Sequence, residues 1–155
     1  MPTHYQGKPD AVRALDTFVK LIRATDSVTM RLAHRHTFGN LTISQFGVLE
    51  ALYHLGALCQ SELSSKLLKS GGNLTLVVNN LVKQDLVRRE RDPEDRRRVV
   101  VSLTDEGEAC IAKIFPQHVA DIVAEFDVLS PEEQVELGRL CRKLGKQNKS
   151  LNQTS

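Results

Sequence analysis

Residues 86–107, LVRRERDPEDRRRVVVSLTDEG, carry the most specific structural signal in this chain. In two short β-rich runs, residues 86–91 and 98–103, the hydrophobic pattern changes from the helical period to a period of two. Between them lies Asp92-Pro93, which favours a turn because proline presets its own backbone angle. The segment predicts a β-hairpin with an arginine-rich tip, and its closing Thr-Asp-Glu predicts the start of a helix.

Upstream of the hairpin, apolar residues at helical spacing predict three short helices, at about residues 44–55, 60–69 and 71–84. Thr42 and Gln45 form a capping box before the first of them, since each side chain satisfies a free backbone donor. Three short helices followed by a two-stranded hairpin make a winged helix-turn-helix.

Long helices flank this unit. The first is expected over about residues 10–37, and at about 1.5 Å per residue it would be roughly 40 Å long. After the hairpin, a helix is expected to about residue 126, kinked or interrupted at Pro116, and a last one from the Ser130 capping box to about residue 146. A compact domain of this size cannot cover such helices alone. The expected fold is therefore mainly α with a small β-hairpin wing, a winged helix-turn-helix with N- and C-terminal dimerisation helices.

Composition sets further limits. The 155 residues are 41% hydrophobic and 26% charged, which is ordinary for one globular domain. Three cysteines without a CxxC pair fit a reducing cytosol, and no apolar run of about 18 residues predicts a membrane span. The first seven residues lack the order of a signal peptide. We expect a cytoplasmic protein with no membrane partner.

Charge is distributed unevenly along the chain. The net charge is +2, but residues 66–98 alone carry nine bases and five acids. This basic middle is typical of a face that meets a polyanion, although a solvated charged hairpin explains it equally well. The third short helix can enter the major groove of DNA, and the basic hairpin can reach the neighbouring minor groove. A two-fold dimer would place two such helices on an inverted repeat.

The wing segment resembles that of MarR-type transcriptional regulators, with Asp95-x-Arg97, Leu103-Thr104 and Gly107 as its most specific features. The resemblance covers about residues 10–146. It implies a homodimeric cytoplasmic DNA-binding regulator, usually a repressor released by a small phenolic ligand or by thiol oxidation. It also implies that Arg97 lies at the wing tip and that Asp95 orients the wing.

The chain departs from the family pattern at two positions. Asp85 occupies the place of a common glycine, and Cys59 occupies the place of a Thr or Ser helix cap. The expected division is a dimerisation helix (residues 1–40), a DNA-binding lobe (41–104), C-terminal dimerisation helices (105–147) and a flexible tail (148–155).

The candidate DNA contacts lie on the last two short helices and on the wing. They are Lys66, Lys69, Ser70, Asn73, Thr75, Leu76, Asn80, Asp95, Arg96, Arg97 and Arg98. For each, a local role competes with DNA contact: the arginines can decorate a solvated turn, Asn73 and Thr75 can satisfy the helix start, and surface lysines are common. Because the exposed side of the third helix carries asparagines and no arginine, we expect half-sites read mainly at A·T pairs.

His34, Phe38 and Phe46 are candidate ligand-binding residues, since they fall near the joint between the first helix and the DNA-binding lobe. His34 and His36 face different sides of a helix, so we expect no metal site, and no motif predicts a cofactor. Cys59 is a candidate redox-sensing thiol because a helix N-terminus favours the thiolate and lowers the pKa of the thiol. The alternative is an inert, partly buried cysteine, and the nearby Glu62 carboxylate favours that alternative because it raises the pKa of the thiol.

Two other classes of function fit the sequence less well. An enzyme would need a phosphate loop, an HExxH or a GxSxG motif, and the sequence contains none of these, so we expect no enzymatic activity. A winged helix that binds only proteins would present an acidic or apolar recognition face, whereas this one is polar beside a basic wing.

Overall fold

The computed structural model describes residues 4–67 and 71–146. Within these ranges the chain forms six helices and three short strands. In chain order they are α1 (Pro9–His34), α2 (Ile43–Leu55), β1 (Leu58–Cys59), α3 (Gln60–Leu67), α4 (Gly71–Lys83), β2 (Val87–Arg91), β3 (Val99–Leu103), α5 (Asp105–Phe126) and α6 (Pro131–Gly145). The expected mainly α fold with a winged helix-turn-helix is confirmed.

The hydrophobic core lies in the lobe formed by α2, α3, α4, the sheet and the start of α5. Each of these elements contributes at least one buried apolar side chain. These residues include Val48, Leu49, Leu63, Leu74, Val78, Leu81, Val87, Val101 and Ile111. The apolar stripe of α4 therefore points inward, which leaves the opposite face of that helix available at the surface.

The sheet differs from the expected two-stranded hairpin. In the described part of the chain it has three antiparallel strands in the order β1-β3-β2, and β1 pairs Leu58 with Val101 and Cys59 with Val100. A strand of two residues is too short to show alternation, so only its pairing with β3 reveals it. The sheet thereby joins the start of α3 to the wing.

The capping interactions expected from the sequence are present. The Thr42 hydroxyl accepts the Gln45 N–H, and the Ser130 hydroxyl accepts the Glu133 N–H. Thr104 caps α5 by accepting the Gly107 N–H at 3.0 Å, and its hydroxyl also donates to the carbonyl of Asp85.

Two expected features of the long helices are corrected. α1 ends at His34 rather than near residue 37, because His36 and Gly39 adopt φ values of +53° and +58° that turn the chain back. Of the kink or interruption expected at Pro116, the interruption is wrong, because α5 runs through this residue as one element. A proline removes one intrahelical hydrogen bond and crowds the carbonyl four residues earlier, but it does not have to end a helix, and α5 also packs on α2 and the sheet.

The long helices keep an exposed apolar face. On α1, α5 and α6 respectively, Phe18 is 59% exposed, Val123 62% and Leu140 46%. Along the fully described helix α6, no residue is buried. None of the described helices is long and apolar enough to cross a membrane.

Candidate nucleic-acid interface

α4 occupies the position of a recognition helix. Its inward residues Leu74 and Val78 are buried, whereas Leu76 is 62% exposed and Asn73 is also exposed. Thr75 and Asn80 are half-buried at the edges of this face. The exposed face of α4 is therefore polar with one apolar side chain, as the sequence predicted.

A side-chain hydrogen bond fixes α4 against the start of α3. The Gln60 amide donates to the Thr75 hydroxyl at 2.7 Å. Sequence reasoning missed Gln60, because the pair is fifteen residues apart and only the angle between the two helices brings it together. Thr75 consequently reaches the surface with its hydroxyl already engaged.

The wing tip is closed by its own polar groups. The Asp92 N–H donates to the Arg98 carbonyl at 2.9 Å, and the Arg98 N–H donates to the Asp95 carbonyl at 2.9 Å. The Asp95 carboxylate accepts the Arg97 N–H at 3.1 Å, and the Arg91 guanidinium donates to the Arg96 carbonyl at 2.8 Å. These bonds close the tip with groups of the wing itself.

The closed tip presents Arg97 to solvent. Its side chain is 96% exposed, and its Nε lies 3.8 Å from an Asp95 oxygen. Arg96 is also exposed. Asp95 thus contacts both the backbone and the side chain of Arg97.

Arg98 points elsewhere. Its Nη2 lies 3.7 Å from Oε1 of Glu62, in the first turn of α3. The other Glu62 oxygen accepts the Cys59 N–H at 2.9 Å. A phosphate contact from Arg98 stays a prediction, because the side chain has a protein partner in this structure.

Cys59 occupies the N-cap position of α3, as expected, and its backbone also forms part of β1. Its Sγ lies 3.0 Å from the Ser61 hydroxyl, and the residue is only 6% exposed. The pKa of the thiol is lowered, chiefly because Ser61 hydrogen-bonds to it and also because Arg98 does, while burial and the Glu62 carboxylate oppose the change. The surroundings of Cys59 therefore favour the reactive thiolate, but burial limits the access of an oxidant or electrophile to it.

Of the contacts predicted for Lys66, Lys69 and Ser70, only Lys66 lies among the residues that the structure describes. Lys66 is exposed in the last turn of α3 and borders a groove beside Glu50 and His54 of α2. Lys69 and Ser70 lie outside the described residues.

Two of the three predicted ligand residues meet at the joint between α1 and the DNA-binding lobe. The rings of Phe38 and Phe46 pack edge to face with centroids 5.2 Å apart. His118 of α5, which sequence reasoning missed, packs on Phe46 at 4.4 Å, and its Nδ1 lies 3.3 Å from the Thr37 hydroxyl. His34 is exposed on the last turn of α1.

Charged groups tie α1 to α5 beside this aromatic cluster. The Glu125 carboxylate is buried and accepts from Arg31 Nε at 2.8 Å and from Arg35 Nη2 at 3.1 Å. The pKa of His118 is lowered because the ring is partly buried, although Glu50 and Asp121 oppose that change. The joint is therefore a packed, polar-lined contact between the long helices and the lobe.

Comparison with known proteins identifies the family. Residues 41–99 match the family model described as MarR family. Over 136 residues the chain is 37% identical to the uncharacterized HTH-type transcriptional regulator YkoM of Bacillus subtilis (strain 168), and the match covers 86% of each chain. The chain belongs to the MarR family.

Solved structures of MarR-like regulators have the same fold. AbsC, a MarR family transcriptional regulator from Streptomyces coelicolor, superposes with a TM-score of 0.82 at 23% identity, covering 94% of this chain and 99% of AbsC. BpsR of Bordetella bronchiseptica superposes with a TM-score of 0.76 at 26% identity, covering 94% of this chain and 98% of BpsR. As a MarR-family member, this chain is a DNA-binding transcriptional regulator with a winged helix-turn-helix.

Proposed function

We propose that this MarR-family chain is a homodimeric, sequence-specific repressor that acts in the cytoplasm, binds an inverted DNA repeat and is released by a small aromatic ligand. The observation that carries the DNA-binding geometry is the exposed Arg97 on a pre-closed wing tip, beside the polar outer face of α4. Such a pair of elements suits a major groove and its neighbouring minor groove.

The proposed contacts are those expected from the sequence. α4 would read bases with Asn73, Leu76 and Asn80, and Thr75 would offer the part of its side chain not engaged by Gln60. Arg96 and Arg97 would contact phosphates or the minor groove, with Asp95 orienting Arg97. Lys66, Lys69 and Ser70 are proposed as phosphate contacts only. Arg98, expected from the sequence as a further contact, pairs with Glu62 instead.

Homodimerisation is supported by the apolar face of the long helices. Phe18, Val123 and Leu140 are large apolar residues that are all about half exposed or more, and exposed apolar patches mark protein–protein contact. Between α1 and the α5–α6 pair lies an apolar groove of about 540 Å³, lined by Leu21, Val28, Phe126, Leu129 and Leu137 among others. A second copy of the chain covering this face would set the spacing of the two α4 helices. We therefore propose a dimerisation helix up to about residue 40, a DNA-binding lobe up to about residue 104, and dimerisation helices after it.

Selection of binding sites from random DNA tests this proposal. The recovered sites should be inverted repeats whose half-site cores are dominated by A·T pairs, because asparagine pairs with adenine and an apolar side chain meets the thymine methyl. Single half-sites would contradict the dimer, and G·C-dominated cores would contradict the assignment of α4 as the main reader. Purified full-length protein should be used, at salt near 150 mM, since non-specific binding dominates at lower salt.

Regulation by a small aromatic ligand is proposed at the joint, with Phe38 and Phe46 as ring contacts and His34 at its edge. BpsR, a structural relative, has DNA binding regulated by 6-hydroxynicotinic acid. Adding single phenols and hydroxylated aromatic acids to the preformed protein–DNA complex should release DNA for some of them. Phe38→Leu should weaken that release and leave DNA affinity without ligand unchanged. Release that is unaffected by this substitution would place the ligand elsewhere.

A thiol sensor is the second candidate, because Ser61 and Arg98 lower the pKa of Cys59. A disulfide or adduct at the start of α3 would disturb β1 and the helix that supports α4. Peroxide or a quinone should then release DNA from the wild type and not from Cys59→Ser. Equal release from both proteins, or from neither, would exclude Cys59 as the sensor.

A further inference from the structure

Glu62 is an acidic residue at the edge of the proposed DNA-binding surface, and neither the family resemblance nor the predicted contacts give it a role there. It lies in the first turn of α3, where one carboxylate oxygen accepts the Cys59 N–H at 2.9 Å. The other oxygen lies 3.7 Å from Nη2 of Arg98. A single carboxylate therefore links the start of α3 to the end of the wing tip, just before β3.

The Arg98 backbone is held independently of this pair. Its N–H and its carbonyl both take part in the bonds that close the wing tip, with Asp95 and Asp92. The Arg98 side chain, in contrast, meets Glu62 and hydrogen-bonds to the Cys59 thiol, and the Arg98 and Glu62 side chains are 50% and 47% exposed. Without the Glu62 charge, this half-exposed arginine has room to turn outward, where its guanidinium can pair with a phosphate.

We propose that Glu62 is a positioning residue that holds the Arg98 side chain on α3 and so keeps it from the DNA backbone. In this arrangement Arg97 is the main phosphate contact of the wing, and Arg98 contributes little to affinity or to its salt dependence. The inference rests on the proposed function, namely that the wing contacts DNA. Its consequence is that the chain binds DNA more weakly, and with a smaller salt dependence, than its run of three arginines would allow.

Glu62→Gln separates the two roles of this residue. The glutamine oxygen still accepts the Cys59 N–H, so the helix cap survives, while the negative charge that attracts Arg98 is removed. Binding is measured by fluorescence anisotropy with a random-sequence duplex, because non-specific binding reports phosphate contacts directly. The variant should bind more tightly than wild type, with a plot of log affinity against log salt that is steeper by about 0.9, the value of one added phosphate contact. Its advantage should therefore shrink about three- to four-fold between about 50 and 200 mM salt.

Loss of a negative charge near DNA can raise affinity without any help from Arg98, and two controls separate these explanations. In an Arg98→Gln background, Glu62→Gln should no longer steepen the salt dependence. Glu94→Gln removes an equal charge from the wing tip. It should raise the affinity for DNA slightly without steepening the salt dependence. An equal steepening with and without Arg98, or none in the single variant, would overturn the proposal.

Arg98→Gln alone gives a second test that does not depend on the folding of the Glu62 variant. In the wild-type background it should weaken binding much less than Arg97→Gln. If both substitutions lower the salt slope by about 1, Arg98 already contacts a phosphate and the proposal is wrong. If Arg97→Gln binds like wild type, the wing does not contact DNA, and the proposed function itself fails.

Discussion

At the scale of single residues, Arg97 is the side chain on which the proposed DNA contact most depends. Arg97→Ala should weaken binding to every duplex by a similar factor and reduce the salt slope by about 1, because a phosphate or minor-groove arginine contributes largely sequence-independent affinity. The measurement is a salt titration of DNA binding by anisotropy.

The matched control for this prediction is Arg139→Ala on α6, where the arginine pairs with Glu136 at 2.7 Å far from the wing in sequence. That variant should bind DNA like wild type. Wild-type affinity of Arg97→Ala at about 150 mM salt would show that the wing tip is not a contact.

His118 is a residue whose environment makes stability depend on pH near neutrality. Burial lowers its pKa below the ordinary value of 6.5, so the folded state disfavours the charged ring relative to the unfolded state. As pH falls below 6.5, the unfolded chain takes up a proton first, and the folded state loses stability until the lower folded pKa is reached. Urea unfolding between about pH 7 and 5 should therefore show a smaller loss of stability for His118→Phe than for wild type. An identical pH dependence in both proteins would contradict this assignment.

At the scale of elements, α5 approaches the start of the wing more closely than a side chain allows. A Cβ on Gly107 would lie 1.9 Å from the carbonyl oxygen of Leu86. Because that neighbour is backbone, Gly107→Ala should lower the free energy of unfolding by about 2–3 kcal/mol or more. Equilibrium urea unfolding at fixed protein concentration measures this loss.

Gly138 on α6 is the control for this prediction, since a Cβ there meets nothing within 4 Å in the chain. Gly138→Ala should leave stability unchanged or raise it by up to about 1 kcal/mol, because alanine loses less backbone freedom in a helix. A Gly107→Ala variant as stable as Gly138→Ala would show that α5 can shift away from the wing at little cost.

At the scale of the whole molecule, the exposed apolar face of the long helices predicts that the chain does not function alone. A charge placed on that face would be buried without a partner in a dimer, which is costly. Phe18→Glu and Leu140→Glu should therefore yield monomeric or insoluble protein, as measured by sedimentation or light scattering.

Leu76→Glu tests whether this effect is specific to the long helices. Leu76 is as exposed as the residues of that face but lies on α4. The substitution should leave the oligomeric state unchanged while weakening DNA binding. A stable dimer of the Phe18 and Leu140 variants at micromolar concentration would place the interface on another surface.

The sequence by itself determined the features that depend on neighbouring residues. The change of period over residues 86–107 predicted the wing hairpin, and the Thr42 and Ser130 capping boxes predicted the starts of α2 and α6. The exposed face of α4 and the position of Cys59 before α3 also followed from spacing alone. Each of these rests on hydrogen bonds or periodicity within a few residues, so local chemistry sufficed.

Only the tertiary structure decided which distant residues meet. The strand β1 exists because β3 pairs with it, Arg98 lies beside Glu62, and His118 packs on Phe46 at the joint. Arg98 and Glu62 are 36 residues apart, and His118 and Phe46 are 72 residues apart. No local sequence pattern encodes the angle between the elements that carry them. Packing of the buried core sets those angles, because apolar side chains from all the lobe's elements must fill one volume together.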